Sequence, residues 1–190
     1  MIYISEQLFS AQHLLKTFGR VVPDGKVAVD SLDVYQKGSV RPVPLMVGAT
    51  SDDIGGKTGY MSTGARNAAR LMTTAGAPVY YYRFSYVGDS ARTPNTRGAA
   101  HASDIPFFFH TESIKFGSAT TNKDIELAKT ASHYLVNFVK TGNPNGGHFP
   151  QWPVYEADKD SMMDFSAEGR AVPGSDPWRK VLNAVANKKS

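Results

Sequence analysis

The sequence contains no cysteine among its 190 residues. Disulfide bonds, thiolate nucleophiles and cysteine-based zinc sites are therefore excluded for this chain. No apolar run approaches the roughly 20 residues that a membrane-spanning helix needs, so we expect no membrane segment. The net charge is only +4, and the basic residues are spread along the chain. This distribution argues against a nucleic-acid-binding surface.

An uninterrupted apolar core of the kind found in signal peptides is also missing from the start of the sequence, where Ser5, Glu6 and Gln7 intervene. We therefore expect no signal peptide here. What is present is a globular composition, with 41% hydrophobic, 11% aromatic and 20% charged residues. The length suffices for one domain with its own core, and neither a repeat nor a linker divides it. We predict a single domain over residues 1–190.

Alternating helix and strand patterns predict an α/β fold with a mostly parallel sheet flanked by helices. The predicted helices cover residues 5–18, 63–74, 122–140 and 176–187. The predicted strands cover residues 43–49, 79–86 and 161–165. Two further segments, residues 21–29 and 31–38, are expected to form a strand-like piece and one or two helical turns.

Polar and acidic side chains follow two of these predicted strands. Asp52 and Asp53 come directly after the first strand, and His101 follows the tyrosine-rich second strand after a Gly/Pro/Asn-rich loop. In the catalytic triad of an α/β-hydrolase, the carboxylate is the second member along the chain and the imidazole is the third. Asp52 or Asp53 and then His101 follow this order. Two simpler interpretations remain open at this point: the aspartates cap the turn after the strand, and His101 is a buried structural histidine.

The first member of such a triad is missing, because the sequence contains no Gly-x-Ser-x-Gly block for a nucleophile. Ser90, in Gly88-Asp-Ser-Ala91, imitates the first block of Gly-Asp-Ser-Leu lipases, but no Asp-x-x-His accompanies it. A metal site formed by His101, Asp104 and His110 is a further alternative. We do not expect one, since alternate residues of an extended segment would face opposite ways.

Several blocks together resemble the type-B carboxylesterases, the cholinesterase-like branch of the α/β-hydrolases. Within that branch they are most similar to the bacterial para-nitrobenzyl esterases. Gly98-Ala-Ala-His101-Ala-Ser-Asp-Ile-Pro-Phe107 is similar to the histidine block of that family. Val43–Asp53 is similar to its acid block, and Pro78–Tyr86 to its penultimate strand. The C-terminal signature is matched by Tyr134–Phe138, Thr141–Asn145 and Trp152–Tyr155.

The resemblance implies roles for individual residues. His101 takes the position of the general base and Asp53 that of the acid, whereas Asp52 and Asp104 are candidates for supporting carboxylates. The nucleophilic serine belongs to an N-terminal part of the family fold that the resemblance does not cover. The chain thus resembles the C-terminal portion of an α/β-hydrolase that acts on small carboxylic esters without a cofactor.

Two expectations about activity and partners follow. Without a positioned nucleophilic serine and oxyanion donors, we expect the chain to be inactive alone and to need an N-terminal half or a second copy at an exposed sheet edge. The alternative is a non-catalytic module that acts by association.

Overall fold

The computed structural model describes residues 41–186, in which four strands form one sheet. The strands are β1 (Leu45–Thr50), β2 (Val79–Phe84), β3 (Ser161–Phe165) and β4 (Ala171–Ser175). The helices are α1 (Tyr60–Thr74), α2 (Ile105–Phe108), α3 (Glu112–Phe116), α4 (Asn122–Thr141) and α5 (Arg179–Ala186). The elements predicted for residues 5–18, 21–29 and 31–38 lie outside the described residues.

The sheet has the strand order β1-β2-β3-β4, so the described strands neighbour one another in chain order. β1 and β3 both run parallel to β2, with Leu45 opposite Val79 and Tyr82 opposite Met163. Only β4 is antiparallel, at the far edge. The prediction of a mostly parallel sheet flanked by helices is confirmed.

β2 is buried along almost its whole length because helices cover both faces of the sheet. Tyr80 and Phe84 point into a core built with α2 and α4, whereas Val79 and Tyr81 point into a second core built with α1. Trp152 lies fully buried in the first core, where its indole N–H donates to the carbonyl of Tyr81 at 3.1 Å. The tyrosine-rich strand is therefore the centre of the described fold.

α4 is the longest described helix, and its ends follow from local signals. Thr121 and Asp124 form a reciprocal capping box at its start, and Gly142 ends it in the left-handed conformation at φ 75°. The predicted bounds of this helix, residues 122–140, are confirmed to within one residue. Within residues 41–186, no helix is both long and apolar enough to span a bilayer.

The ends of two other predicted elements are wrong. β2 stops at Phe84 rather than at residue 86, because the N–H groups of Ser85 and Tyr86 both donate to one carbonyl, that of Phe165. α1 begins at Tyr60, before the predicted Thr63. 

The segment after His101 is also not extended as we assumed. It forms the helical turn α2, in which Pro106 occupies the first turn, where its missing N–H costs no hydrogen bond. β4 was not predicted at all, because Pro173 and Gly174 lie inside it. Both residues are tolerated at an edge, where one side of the strand needs no ladder partner.

Candidate functional site

Two loops meet at the carboxyl ends of β1 and β2. The backbone N–H of Asp52 donates to the carbonyl of Ala99 at 2.8 Å, and the N–H of Ala99 donates to the Ser51 hydroxyl at 2.9 Å. Gly98 permits this approach, since a Cβ on it would lie 2.6 Å from the Ser51 oxygen. The contacts extend the parallel pairing beyond the strands and bring the acidic loop next to the histidine loop.

Asp53 is buried and accepts hydrogen bonds at both carboxylate oxygens. Oδ2 accepts from the N–H of Thr50 at 3.1 Å, and Oδ1 accepts from the N–H of Ile54 at 2.8 Å. Oδ1 also lies 2.7 Å from Nδ1 of His101. The carboxylate of Asp53 therefore both holds the turn after β1 and contacts the imidazole.

His101 sits at the surface of the described structure, with 48% of its side chain exposed against 3% for Asp53. The interpretation of His101 as a buried structural histidine is wrong. The following residue, Ala102, has φ 61°, a left-handed conformation that is uncommon for a residue with a Cβ. The chain turns sharply there, and about half of the His101 side chain stays accessible while Nδ1 contacts the acid.

Asp104 contacts a different partner, the hydroxyl of Tyr82, which donates to its Oδ2 at 3.0 Å. Burial raises the pKa of Asp104, and the hydrogen bond from Tyr82 opposes this shift. The neighbouring charge of Asp53 raises it further, and His101 lowers it. Burial and the contact with Asp104 likewise raise the pKa of the Tyr82 hydroxyl well above its usual value. The pair forms a polar layer close to the His101–Asp53 contact.

Asp52, the other acidic residue after β1, contributes mainly through its backbone. Its carboxylate lies 3.4 Å from the guanidinium of Arg97 on the protein surface. A surface pair of this kind contributes little to stability. Asp52 therefore helps to join the two loops, and its side chain makes no described contact with the imidazole.

The other residues considered for this region, Ser90 and His110, make no described contact with His101. Ser90 lies exposed in a short 3₁₀ turn, and no side-chain hydrogen bond in the described part of the chain joins it to His101. His110 lies 3.7 Å from Glu112, away from the pairing of His101 with Asp53. Among residues 41–186, no group of three or more metal-ligating side chains is close enough to hold an ion.

Sequence reasoning missed two residues of this region. Ser51 joins the loops through its hydroxyl, and Tyr82 supports Asp104. Ser51 was noted only as part of the polar run after the first strand, and Tyr82 only as part of the second strand. The signal for Tyr82 is a hydroxyl in an otherwise apolar strand, since a buried tyrosine oxygen usually has a hydrogen-bond partner. The arrangement as a whole positions an imidazole against a buried carboxylate, which is the geometry of a general base with its orienting acid.

Comparison with known proteins adds a family match. The sequence model described as "Carboxylesterase family" matches residues 57–182, well over half of the chain. The match includes His101 and Asp104 and begins shortly after Asp53.

Individual relatives agree with this match. Carboxylesterase 4A of Bos taurus is 41% identical over 93 residues, which cover 48% of this chain and 16% of the relative. Liver carboxylesterase of Sus scrofa is 36% identical over 127 residues, covering 64% of this chain and 22% of the relative. The chain thus corresponds to less than a quarter of the length of these two proteins.

A solved structure shows the same fold. It is an esterase from Clostridium hathewayi, described as able to hydrolyse aliphatic aromatic polyesters, with a TM-score of 0.55 and 27% sequence identity. The similarity covers 67% of this chain and 25% of that one. The fold class predicted from sequence, a portion of an α/β-hydrolase, agrees with this neighbour.

Proposed function

Because the chain belongs to the carboxylesterase family, we propose that it supplies the base and the acid of a serine ester hydrolase. His101 acts as the general base, and Asp53 is the carboxylate that orients it. The observation that carries this proposal is the 2.7 Å contact between Nδ1 of His101 and Oδ1 of Asp53, a half-exposed imidazole against a buried acid.

The contact determines which nitrogen of the ring can take a proton. Asp53 already accepts two backbone hydrogen bonds, so its carboxylate is held in place. An Nδ1–H that donates to Oδ1 leaves Nε2 with its lone pair, which is the form that removes a proton from a serine hydroxyl. Once the imidazole is charged, the adjacent carboxylate stabilises it. The cycle of acyl-enzyme formation and hydrolysis needs no cofactor.

The nucleophile must come from outside the described residues. The sequence has no Gly-x-Ser-x-Gly block, and the chain corresponds to less than a quarter of the two curated relatives compared above. We therefore propose that an N-terminal portion of the family fold supplies the serine and the oxyanion donors. The isolated chain is then inactive, because a base without a nucleophile or oxyanion stabilisation provides only weak help to water.

The substrates that fit this chemistry are small carboxylic esters. Relatives are named as carboxylesterases, and the solved neighbour is described as acting on aliphatic aromatic polyesters. Asp104 and Asp52 have supporting roles in this proposal. Asp104 places a half-buried carboxyl group with a raised pKa near the base, and Asp52 fixes the distance between the two loops through its backbone.

A second function, association without catalysis, is favoured by one observation. In the described residues β1 has a strand partner only on the β2 side. Next to it lies an apolar groove lined by Met46, Phe108 and Phe138. On its rim, Phe109 and Val139 are 67% and 75% exposed. An open edge and exposed apolar residues are features of a surface that pairs with another chain.

Complementation distinguishes the two functions. The chain is expressed with and without the N-terminal portion of the Clostridium hathewayi esterase, and hydrolysis of short nitrophenyl esters is measured. We expect no turnover by either part alone and turnover by the two together. In that mixture, His101→Gln and Asp53→Asn should each lower kcat/KM by about 10⁴-fold or more, because the base is removed or held in the wrong tautomer.

Matched variants control for loss of folding. His148→Gln and Asp158→Asn change an exposed histidine and an exposed aspartate, and both should leave turnover within about twofold of the unmodified mixture. Association of the two parts without turnover would favour the non-catalytic function. Equal losses in the test and control variants would contradict the assignment of His101 and Asp53.

A further inference from the structure

The residues that join β4 to α5 are tied to the central strand β2. Asp176 is buried there, and both oxygens of its carboxylate accept hydrogen bonds. Oδ1 accepts from the N–H of Trp178 at 2.8 Å, which forms the turn into α5. Oδ2 accepts from the Tyr81 hydroxyl at 3.0 Å and from Nη2 of Arg83 at 2.9 Å. One carboxylate therefore fixes the start of α5 to β2.

The indole ring of Trp178 lies against the guanidinium of Arg83. The central guanidinium carbon is 3.5 Å from the ring centre. Arg83 is only 2% exposed, and within residues 41–186 its Nε and Nη1 have no hydrogen-bond partner. A buried cation with unpaired N–H groups depends on the face of the ring for part of its stabilisation. Arg83 thus holds the ring at one place on the sheet.

The same ring contacts the turn that follows Asp53, residues 54–58, which we call the acid turn. Lys57 belongs to this turn, and its ammonium lies 5.4 Å from the centre of the Trp178 ring. α5 also packs against the end of the acid turn. The turn is closed by the N–H of Gly56, which donates to the carbonyl of Asp53 at 2.8 Å. Trp178 therefore connects the sheet with the turn beside the acid.

The acid turn needs such a contact because its own backbone is permissive. Gly55 and Gly56 have φ 86° and 68°, values that glycine adopts easily but does not enforce. The next N–H towards the acid, that of Ile54, donates to Oδ1 of Asp53 at 2.8 Å. Oδ1 is also the oxygen that meets Nδ1 of His101. A displaced acid turn would thus move the oxygen that orients the imidazole.

We propose that Trp178 is a positioning residue, which holds the acid turn on the sheet and so keeps Asp53 in contact with His101. The segment from Asp176 to the end of α5 then controls whether the pair is assembled. The benefit to catalysis rests on the function proposed above. The contact between the pair lies within this chain, so it can be measured without turnover.

The first measurement uses the full chain alone, labelled for NMR. Its reporters are hydrogen exchange of the Ile54 amide and the resonance of the His101 Nδ1–H. Trp178→Leu removes the ring and keeps an apolar side chain. It should speed exchange at Ile54 at least about tenfold and broaden or shift the His101 resonance, because the acid turn opens more often. Trp178→Phe keeps a ring face and should restore exchange to within about threefold.

Leu182→Ala separates positioning from general stability. Leu182 is buried in α5, beside Arg66 and Asn67 of α1, so its truncation destabilises the same helix and leaves the ring in place. Exchange at Ile54 should stay within about twofold of the unmodified chain, because it proceeds through local opening of the acid turn.

A second pair of variants tests the contact from the side of the acid turn. Lys57→Met removes the charge from an exposed lysine and should speed exchange at Ile54 about two- to fivefold. Lys115→Met is the matched control, since this exposed lysine makes a similar contact, 5.6 Å from the centre of the Phe116 ring, on α3. It should change nothing at Ile54. This pair also decides the matter if Trp178→Leu does not fold.

Turnover supplies the second measurement, in the mixture with the N-terminal portion of the Clostridium hathewayi esterase. Trp178→Leu should lower kcat about tenfold or more and leave KM within about twofold, because the base is misplaced and ester binding is not. An unmodified mixture without turnover would contradict the proposed function, whereas the exchange measurement would still decide the role of Trp178.

Two results would overturn the role of Trp178. One is a folded Trp178→Leu chain, or Lys57→Met chain, in which Ile54 exchange and the His101 resonance are unchanged. The other is equal acceleration at Ile54 by Trp178→Leu and Leu182→Ala, which would mean that the ring acts only through overall stability.

Discussion

The environment of Asp104 favours the protonated form of its carboxyl group. Burial raises its pKa, and the Tyr82 hydrogen bond and His101 only partly oppose this. Because the folded state keeps the proton to higher pH than the unfolded chain, the contribution of Asp104 to stability is fully present below its unfolded pKa. It is lost as the pH rises through the raised pKa. Asp104→Asn cannot ionise, and its amide oxygen can still accept from Tyr82.

We therefore expect the free energy of unfolding of Asp104→Asn, relative to the unmodified chain, to increase as the pH rises above the usual pKa of an aspartate, about 4, and through the raised pKa of Asp104. Urea unfolding followed by fluorescence at several pH values measures it. Asp158→Asn, an exposed aspartate, should show no such trend. A relative stability of Asp104→Asn that stays constant or falls with pH would show that the buried carboxyl ionises without cost.

Chain order allowed an acidic residue after β1 to meet His101, since each follows a strand and parallel strands end at the same edge of a sheet. Only the family resemblance singled out Asp53 over Asp52. The Tyr82–Asp104 contact could not be predicted in this way. It depends on the helical turn α2, which brings Asp104 back over β2, and the sequence pattern of that segment also fitted an extended run. The left-handed conformation of Ala102 could not be predicted either, because nothing about an alanine in a sequence indicates a positive φ.

Among the structural elements, β1 depends on one glycine. A Cβ on Gly48 would overlap the ring and the backbone oxygen of Tyr82 on the neighbouring strand. Because the backbone atom cannot move without breaking the parallel ladder, Gly48→Ala should lower the free energy of unfolding by about 1–3 kcal/mol. Thermal or urea unfolding measures the change.

Gly174→Ala in β4 is the control, since a Cβ there meets nothing within 4 Å. A loss of similar size in both variants would mean that strand flexibility, and not the contact with Tyr82, determines the effect.

Elements with complete local signals were predicted well, and elements that depend on distant partners were not. α4 carries its cap, its apolar face and its final glycine in its own sequence. β4 is a strand only because β3 pairs with it, with Val172 opposite Asp164, and its own residues favour a turn. The ends of elements are hard to predict for the same reason. β2 stops at Phe84 because the N–H groups of the next two residues both donate to the carbonyl of Phe165 in β3.

At the scale of the whole molecule, one feature of residues 41–186 bears on association: β1 has a strand partner on one side only, and we expect this open edge to determine how the chain associates in solution. The N–H groups of Leu45 and Ser51 point to β2, so by alternation the N–H of Met46 points to the free edge. We expect the chain alone to associate through this edge, with a mass that rises with concentration in light scattering. Met46→Pro removes a donor from the free edge and leaves the ladder with β2 intact, so it should shift the mass towards the monomer. Met46→Leu, which keeps the N–H and the apolar side chain, should behave as the unmodified chain does.

The same variant connects association with the proposed catalysis. If an N-terminal portion docks by adding a strand to β1, Met46→Pro should also reduce the turnover gained on complementation, although His101 and Asp53 are unchanged. Excess N-terminal portion should then suppress self-association of the unmodified chain, because both compete for one edge. A sharp monomer peak at every concentration, together with full complementation by Met46→Pro, would show that β1 is not the docking edge. The partner would then have to bind through the apolar groove beside Phe109 and Val139, where Val139→Lys should abolish complementation.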